Sequence, residues 1–353
     1  MTVGVARPVV TSPIPREVWA SLVRSDPSAL VSQSLAWRDS VFADGRYRDV
    51  GRLYTFDSGE KVAIPLARSR GIFQGISVTA SWPRVWGVGG PICQGGRVDA
   101  GQARMVLDDL VSHSGLAAEI QLGPEADGSW IAAAERFMVE KNGNHVVDIR
   151  AGFDHVWRHK FRGSARTAIR KAEKSGLDVE VDQSGRLLHV FWDLYENSMR
   201  RWSQGQHEPL WFTRWRTARA TPPRMLATVA HQFGADFNLL VARSAGEPVA
   251  AIIVLRAGRY TKYWRGAMNK DLANRVRANE YLHRLAIEQA CRDGYDYYDL
   301  GRSRPGSALA AFKEKLGGTP QFGHTLRIER LPVSTGAQLA RDIVKRAIRF
   351  HDV

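Results

Sequence analysis

Only two cysteines occur among the 353 residues, Cys93 and Cys291, far apart and in no CxxC or Cys/His cluster. A disulfide framework and a zinc site are therefore both excluded, and packing is the expected role of each thiol. No long uncharged apolar run is found in residues 1–15 or later, so neither a signal peptide nor a spanning helix is expected, and the cytoplasm is the expected compartment. No GxSxG elbow and no Cys/His pair marks a covalent nucleophile. The ten histidines are scattered with none at metal-ligand spacing, so no metal and no redox cofactor is expected. Low-complexity tracts and short tandem repeats are missing as well.

Positive charge is what the chain has in excess. A net charge of +14 and a sequence pI near 10.1 attract polyanions and raise encounter rates with them. Nucleic acid, an anionic membrane surface and a phosphorylated substrate all qualify, and so does a merely solvated basic surface. The charge concentrates in WRHKFRGSARTAIRKAEKSG, residues 157–176, where Arg158, Arg162, Arg166, Arg170 and Lys174 fall four apart, with Lys160 and Lys171 beside them. Spacing of four drifts about 40° per step on an α-helix, so such a row winds slowly around one side. Gly163-Ser164 is expected to interrupt it, with Ser164 as N-cap and the first three positions on an approach loop. Phosphate contacts from such a row give salt-sensitive, sequence-independent affinity; a solvated helix face over inward Ala165, Ala168, Ile169 and Ala172 is the other reading.

The length favours two domains over one. In the first half, YTFDSGEKVAIPLARS predicts a hairpin turning at Asp57, Ser58 and Gly59, GQARMVLDDLVSHSG a helix and AAEIQLGP a buried strand, which together make a mixed α/β unit over about residues 15–150. The second half predicts a short helix ending at Gly176, the strand LDVEVD, the helix LLHVFWDLYENSMRRW and adjacent strands in FNLLVARSAGEPVAAIIVLRAGRYTKYWRGAM. The amphipathic helix ANEYLHRLAIEQACRDG and the strand YDYYDLG complete it. This order fits a mixed sheet flanked by helices.

Taken in sequence, KFRGSARTAIRKAEKSGLDVEV, the strand-rich VARSAGEPVAAIIVLRAGRYTKYWRGAM, ANEYLHRLAIEQACRDG, YDYYDLG and ALAAFKEKLGG resemble successive blocks of the Fem-type branch of the GNAT superfamily. The likeness is fullest over residues 150–330 and rests on LAWRDSVF, IPLA and GGPI over 15–150. It implies an α/β fold of two tandem GNAT-like domains, residues 1–150 and 151–330, followed by a basic helix in 331–353. It also implies transfer of an aminoacyl group from aminoacyl-tRNA to an amine acceptor, a cell-wall peptide precursor or a peptide-like natural product. No segment after residue 150 sustains apolar heptads over two long helices, so the coiled-coil arm of some Fem members is not expected.

The resemblance places Phe312 and Lys313 in the donor cavity, where an ammonium stabilises a tetrahedral intermediate or holds the donor's ribose and phosphate. A solvated helix lysine is the plain alternative. It places Tyr263 facing the acceptor and Arg200 and Arg201 where acceptor phosphate or carboxylate is gripped. Trp211 and Phe212 are the nearby aromatics, with Trp211 the expected acceptor contact, but the family's tyrosine is not found there, a departure that counts against the usual nucleotide-linked cell-wall acceptor. Asp299, at a strand end, is readable as a base or as an anchor for the loop at Gly301–Arg304, and His283 as a packed residue of an apolar helix face. A coenzyme A-dependent GNAT has a glycine-rich turn before this helix so that backbone amides cradle a pyrophosphate. NRVRANE, residues 274–280, has two arginines and no glycine. That favours aminoacyl-tRNA as donor, with Arg158, Lys160, Arg162, Arg166, Arg170, Lys171 and Lys174 as its phosphate-tracking face. A C-terminal helix bearing Arg341, Lys345, Arg346 and Arg349 would extend that face or lie on an anionic membrane. The rival readings are an acyl-CoA- or acyl-carrier-dependent N-acyltransferase and a non-catalytic RNA-binding module.

Overall fold

A computed structural model describes residues 7–43, 45–70, 78–113, 115–126 and 128–330. The C-terminal basic segment 331–353 lies outside the described residues. The described chain forms two compact units, 7–142 with 322–330, and 143–321.

In the first unit, helices α1 (Arg16–Ser25) and α2 (Leu35–Ala43) accompany a small antiparallel sheet of β1 (Val9–Thr11), β3 (Arg52–Thr55), β4 (Lys61–Ile64) and β7 (Ile92–Cys93), in the order β1-β3-β4-β7. The predicted hairpin is present, with Thr55 opposite Lys61 and Gly59 at φ +84 in its turn. A second set contains β2 (Tyr47–Asp49), β5 (Ala67–Ser69), β6 (Val78–Ala80) and β8 (Ala117–Leu122), with the end of β15 (Thr319–Glu329) antiparallel to β8. Here β6 and β8 run parallel, joined through α3 (Ala100–His113). The helix turns Ala103, Val106, Leu107, Leu110 and Val111 inward, onto Ile120, Leu122 and the Trp130 of α4 (Ser129–Ala132). These are the positions that its apolar spacing marks.

The second unit begins in β9 (Met138–Asp148) and α5 (Phe153–His155), followed by a π-helical turn, Val156–Lys160, α6 (Gly163–Glu173) and β10 (Asp178–Asp182). Three helices follow, α7 (Leu188–Gly205), α8 (Leu210–Ala220) and α9 (Pro223–Phe233). Next come β11 (Phe237–Ser244), β12 (Glu247–Ala257), β13 (Tyr260–Met268), α10 (Lys270–Val276), α11 (Ala278–Arg292), β14 (Tyr297–Arg302) and α12 (Ala308–Lys315). The strands lie in the order β10-β11-β12-β13-β14-β9, all antiparallel except β13 with β14. Central β12 reads PVAAIIVL without alternation because both of its faces are covered, and residues 249–255 are buried throughout. Helix α11 presses Leu282, His283, Ala286, Ile287 and Ala290 inward and is stopped by Gly294 at φ +79.

Two local expectations are corrected. Helix α6 starts at Gly163 with Arg162 as N-cap and no side-chain cap, so Ser164 is inside the helix. The Arg162 amide donates to the Lys315 carbonyl at 2.9 Å while its own carbonyl accepts from Ala165 and Arg166, which fixes the helix start earlier than Ser164. Arg158 and Lys160 belong to the π-helical turn and not to an approach loop.

Candidate active site

In the second unit, the parallel ladder of β13 and β14 contains three residue pairs, ending at Lys262 with Asp299, although β13 continues to Met268 and β14 to Arg302. Two irregularities accompany this stop. One is a bulge in β13 opposite Ile253 and Val254, the other a register break between Asp299 and Arg302 against β9. Bulges re-aim side chains and end pairing. Beyond the ladder Tyr263 follows on β13, and Leu300 and Gly301 on β14.

Asp299 and Lys313 meet at this end of the ladder. The Asp299 Oδ2 lies 2.5 Å from the Lys262 Nζ, and its Oδ1 accepts from the Gly301 amide at 2.7 Å. Lys313, on α12 and only 3% exposed, donates from Nζ to the carbonyls of Gly301 at 2.9 Å and Arg302 at 2.7 Å. The same glycine is held by its amide and by its carbonyl. Burial pulls the Lys313 ammonium down to about 8; nearby Lys262 adds to this and Asp299 opposes it. Two carbonyls occupy two of the three ammonium donors, which leaves one for a ligand.

Phe312 borders an aromatic group formed by buried His283 and Tyr298 and partly buried Tyr263. Its ring centroid lies 5.7 Å from that of His283, whose Nδ1 is 3.0 Å from the Tyr298 hydroxyl. Tyr263 packs edge-on against His283 at 4.7 Å. Burial first, and then Lys313, hold His283 at about 3, so the imidazole stays neutral at physiological pH. Burial pushes the Tyr263 phenol up to about 12, which keeps it a neutral hydrogen-bonding group. A Cβ on Gly266 would stand 2.3 Å from the Tyr263 hydroxyl, so this ring can lie along its own strand only over a glycine.

The other expected residues are spread more widely. Arg201 on α7 is half-buried, and burial lowers its pKa against the opposing field of Asp271. Arg200 is exposed with its Nε 3.8 Å from Glu196, and Trp211 stands 70% exposed on α8. In the basic row Arg158, Arg162, Arg170, Lys171 and Lys174 are exposed and Lys160 is half-buried. Arg162 pairs with Glu314 at 3.1 Å and Arg170 stands 5.9 Å over Trp157. Arg166 turns back instead. Its Nη1 donates to the carbonyls of Trp157 and Arg158, both at 3.2 Å, and Phe161 at 2.6 Å, closing the π-helical turn.

Sequence reasoning missed Lys262, because its pairing with Asp299 depends on a register between distant strands. It missed Arg265, a half-buried arginine beside Tyr195 and Tyr263 with its Nη2 3.4 Å from the Thr221 hydroxyl. A charge within an apolar strand was the available signal. In the sequence Arg277 shows only as a charge where a glycine would be. It adopts φ 58, ψ 34, the left-handed conformation that a glycine supplies freely, between α10 and α11.

Residues 159–314 match the acetyltransferase (GNAT) domain family. No curated protein matches the sequence. Among solved structures, FemX aligns with a TM-score of 0.67 at 12% identity, covering 90% of this chain and 96% of that one. A tandem GNAT protein from the clavulanic acid biosynthesis pathway aligns with a TM-score of 0.53 at 11% identity, covering 88% and 93%. The C-terminal domain of a putative lysylphosphatidylglycerol synthetase from Agrobacterium fabrum aligns with a TM-score of 0.51 at 14% identity, covering 94% and 95%. The chain has the Fem-like tandem GNAT fold, each half a mixed sheet flanked by helices. No helix among the described residues is long and apolar enough to cross a membrane.

Proposed function

We propose that this protein is an aminoacyltransferase that moves an aminoacyl group from tRNA to an amine of a peptide-like acceptor. The observation that carries the reading is the end of the β13–β14 ladder at Lys262 and Asp299, where the Lys313 ammonium is held by the Gly301 and Arg302 carbonyls and Tyr263 is the next residue of β13. An acyl ester seated there is attacked directly by the acceptor amine. The new C–N bond forms, a negative charge develops on the carbonyl oxygen, and the 3′-oxygen of the tRNA leaves with the proton that the amine gives up. The remaining N–H of Lys313 is suited to that oxyanion, and a buried cation stabilises it more strongly than water would. Tyr263, neutral at working pH, orients the amine. Arg201 holds an anionic group of the acceptor.

On this reading Arg158, Arg162, Arg170, Lys171 and Lys174 track donor phosphates, and Arg166 shapes the turn that presents them. One observation favours a second reading. The left-handed Arg277 gives the turn before α11 the backbone form that a glycine would supply, which keeps an acyl-CoA donor open. Parallel binding to aminoacyl-tRNA, deacylated tRNA and acetyl-CoA with salt titrated tests both. Salt-sensitive binding, tighter for aminoacyl-tRNA, supports the tRNA donor. Binding to acetyl-CoA alone sinks it.

A further inference from the structure

Helix α8, Leu210–Ala220, has one buried residue, Thr213. Its largest apolar side chains point the other way, Trp211 at 70% and Trp215 at 54% exposure, four residues apart and so on one side of the helix. Phe212 lies between them, 5.7 Å from each ring and stacked on Trp215, so the three form one aromatic surface. The helix is held from beneath by polar contacts. Thr213 donates to Glu208 at 2.5 Å, Arg216 pairs with Glu208 at 2.9 Å and Arg214 pairs with Glu196. An amphipathic helix on a globular protein ordinarily turns its aromatic side inward, and two neighbouring exposed indoles mark an interaction surface.

Along the segment that carries them the charge is of one sign. Residues 209–235 contain no aspartate or glutamate, while Arg214, Arg216, Arg219 and Arg224 lie within them. Arg219 stands 5.8 Å over the Trp215 ring, and exposed Arg200 belongs to neighbouring α7. Tryptophan flanked by arginine suits a lipid headgroup layer, where an indole buries its body and keeps its N–H wet, and a guanidinium meets phosphate. An RNA strand would be served by guanidinium groups. Here two of them are already held by glutamates, and indole area is what the helix leaves open.

We propose that α8 is an interfacial element that docks the protein on an anionic bilayer surface, with Trp211 and Trp215 inserted at headgroup depth. The proposal stands independently of the donor and acceptor readings. The test is flotation of the full chain with vesicles of phosphatidylcholine, alone or with phosphatidylglycerol, for wild type, Trp215→Gln and Trp211→Ala/Trp215→Ala, with circular dichroism to verify folding. Wild type should float with the anionic vesicles. Each lost indole should weaken partitioning about tenfold, the effect of re-exposing roughly half a large apolar side chain. Failure of wild type to bind either vesicle, or equal binding by the folded double variant, overturns the proposal. Loss of tRNA binding by that variant, with vesicle binding intact, assigns the surface to RNA instead.

Discussion

Both units contain the same frame, two parallel strands joined through a helix, and they treat the end of that frame differently. In the first unit β6 and β8 pair in parallel over Val78–Ala80 and Ala117–Glu119. The region beyond is filled by its own chain. The Ser81 hydroxyl accepts from the Gln121 amide at 2.9 Å, buried Trp82 donates to the Ser32 carbonyl at 2.7 Å, and the Gln33 amide donates to the Gly90 carbonyl at 2.9 Å. A Cβ on Gly90 would meet the Gln121 carbonyl at 2.4 Å, so the backbone packs where a ligand could otherwise sit. In the second unit the ladder ends at Lys262 and Asp299, and beyond Gly301 a Cβ would find nothing nearer than the Tyr263 carbonyl at 4.0 Å. One copy of the frame is filled by its own chain, and in the other a lysine and an aspartate hold one glycine at the end of the ladder. A repeated fold therefore need not imply two sites.

The largest expected effect tests the end held by Lys313. Lys313→Ala should lower single-turnover transfer by about 10²–10³-fold, the effect of losing one oxyanion donor, while tRNA binding is retained. Unchanged turnover would end the catalytic role of Lys313. Because burial holds Lys313 at about 8, its ammonium is present below that pH and is lost above it. Transfer should therefore fall as pH rises through about 8, and a rate that rises there would make Lys313 a base instead. The sign for stability is opposite: folding disfavours the charged lysine, so this group destabilises the protein below pH 8 and ceases to do so as pH rises toward the unfolded value.

The closed end predicts the next effect. Gly90→Ala must displace the Gln121 backbone and should cost about 1–3 kcal/mol in chemical denaturation. Wild-type stability in that variant would show that the plug is loosely packed. A smaller contrast separates two arginines of one helix. Arg166→Ala removes three hydrogen bonds to carbonyls of the π-helical turn, two of them part-buried, and should lower stability by about 1 kcal/mol. Arg170→Ala should leave stability nearly unchanged and lower the slope of log affinity for tRNA against log salt by about one contact. The reverse assignment would place Arg166 on the interface. The smallest effect is expected at Arg277, where replacement by glycine relieves a left-handed conformation worth about 1 kcal/mol but loosens the unfolded chain by a comparable amount. Its melting temperature should move little.

Much of the frame could be read along the chain because it depends on short-range periodicity. The spacing of Val106, Leu107 and Leu110 marks the buried side of α3, and the apolar run of β12 marks a strand covered on both faces. The resemblance of the blocks between 150 and 330 likewise anticipated the tandem GNAT fold. Around the candidate site, Lys313, Phe312, Asp299 and Tyr263 could be nominated from their motifs. What each one touches could not. Lys262 reaches Asp299 across a parallel pair 37 residues apart in sequence, and Lys313 closes on Gly301 from a separate helix.

The row of basic residues shows the same division. Spacing set Arg158, Arg162, Arg166, Arg170 and Lys174 in register, and sequence alone fixed the net charge of +14 that any anionic partner meets. Which guanidinium faces water was settled by tertiary structure. A π-helical turn with unpaired carbonyls captured Arg166, and Glu314 from α12 captured Arg162. Charge and periodicity are properties of neighbours along the chain, so the sequence determines them. Burial, pairing and the end of the ladder at Lys262 depend on which distant segments come together, and only the folded chain decides that.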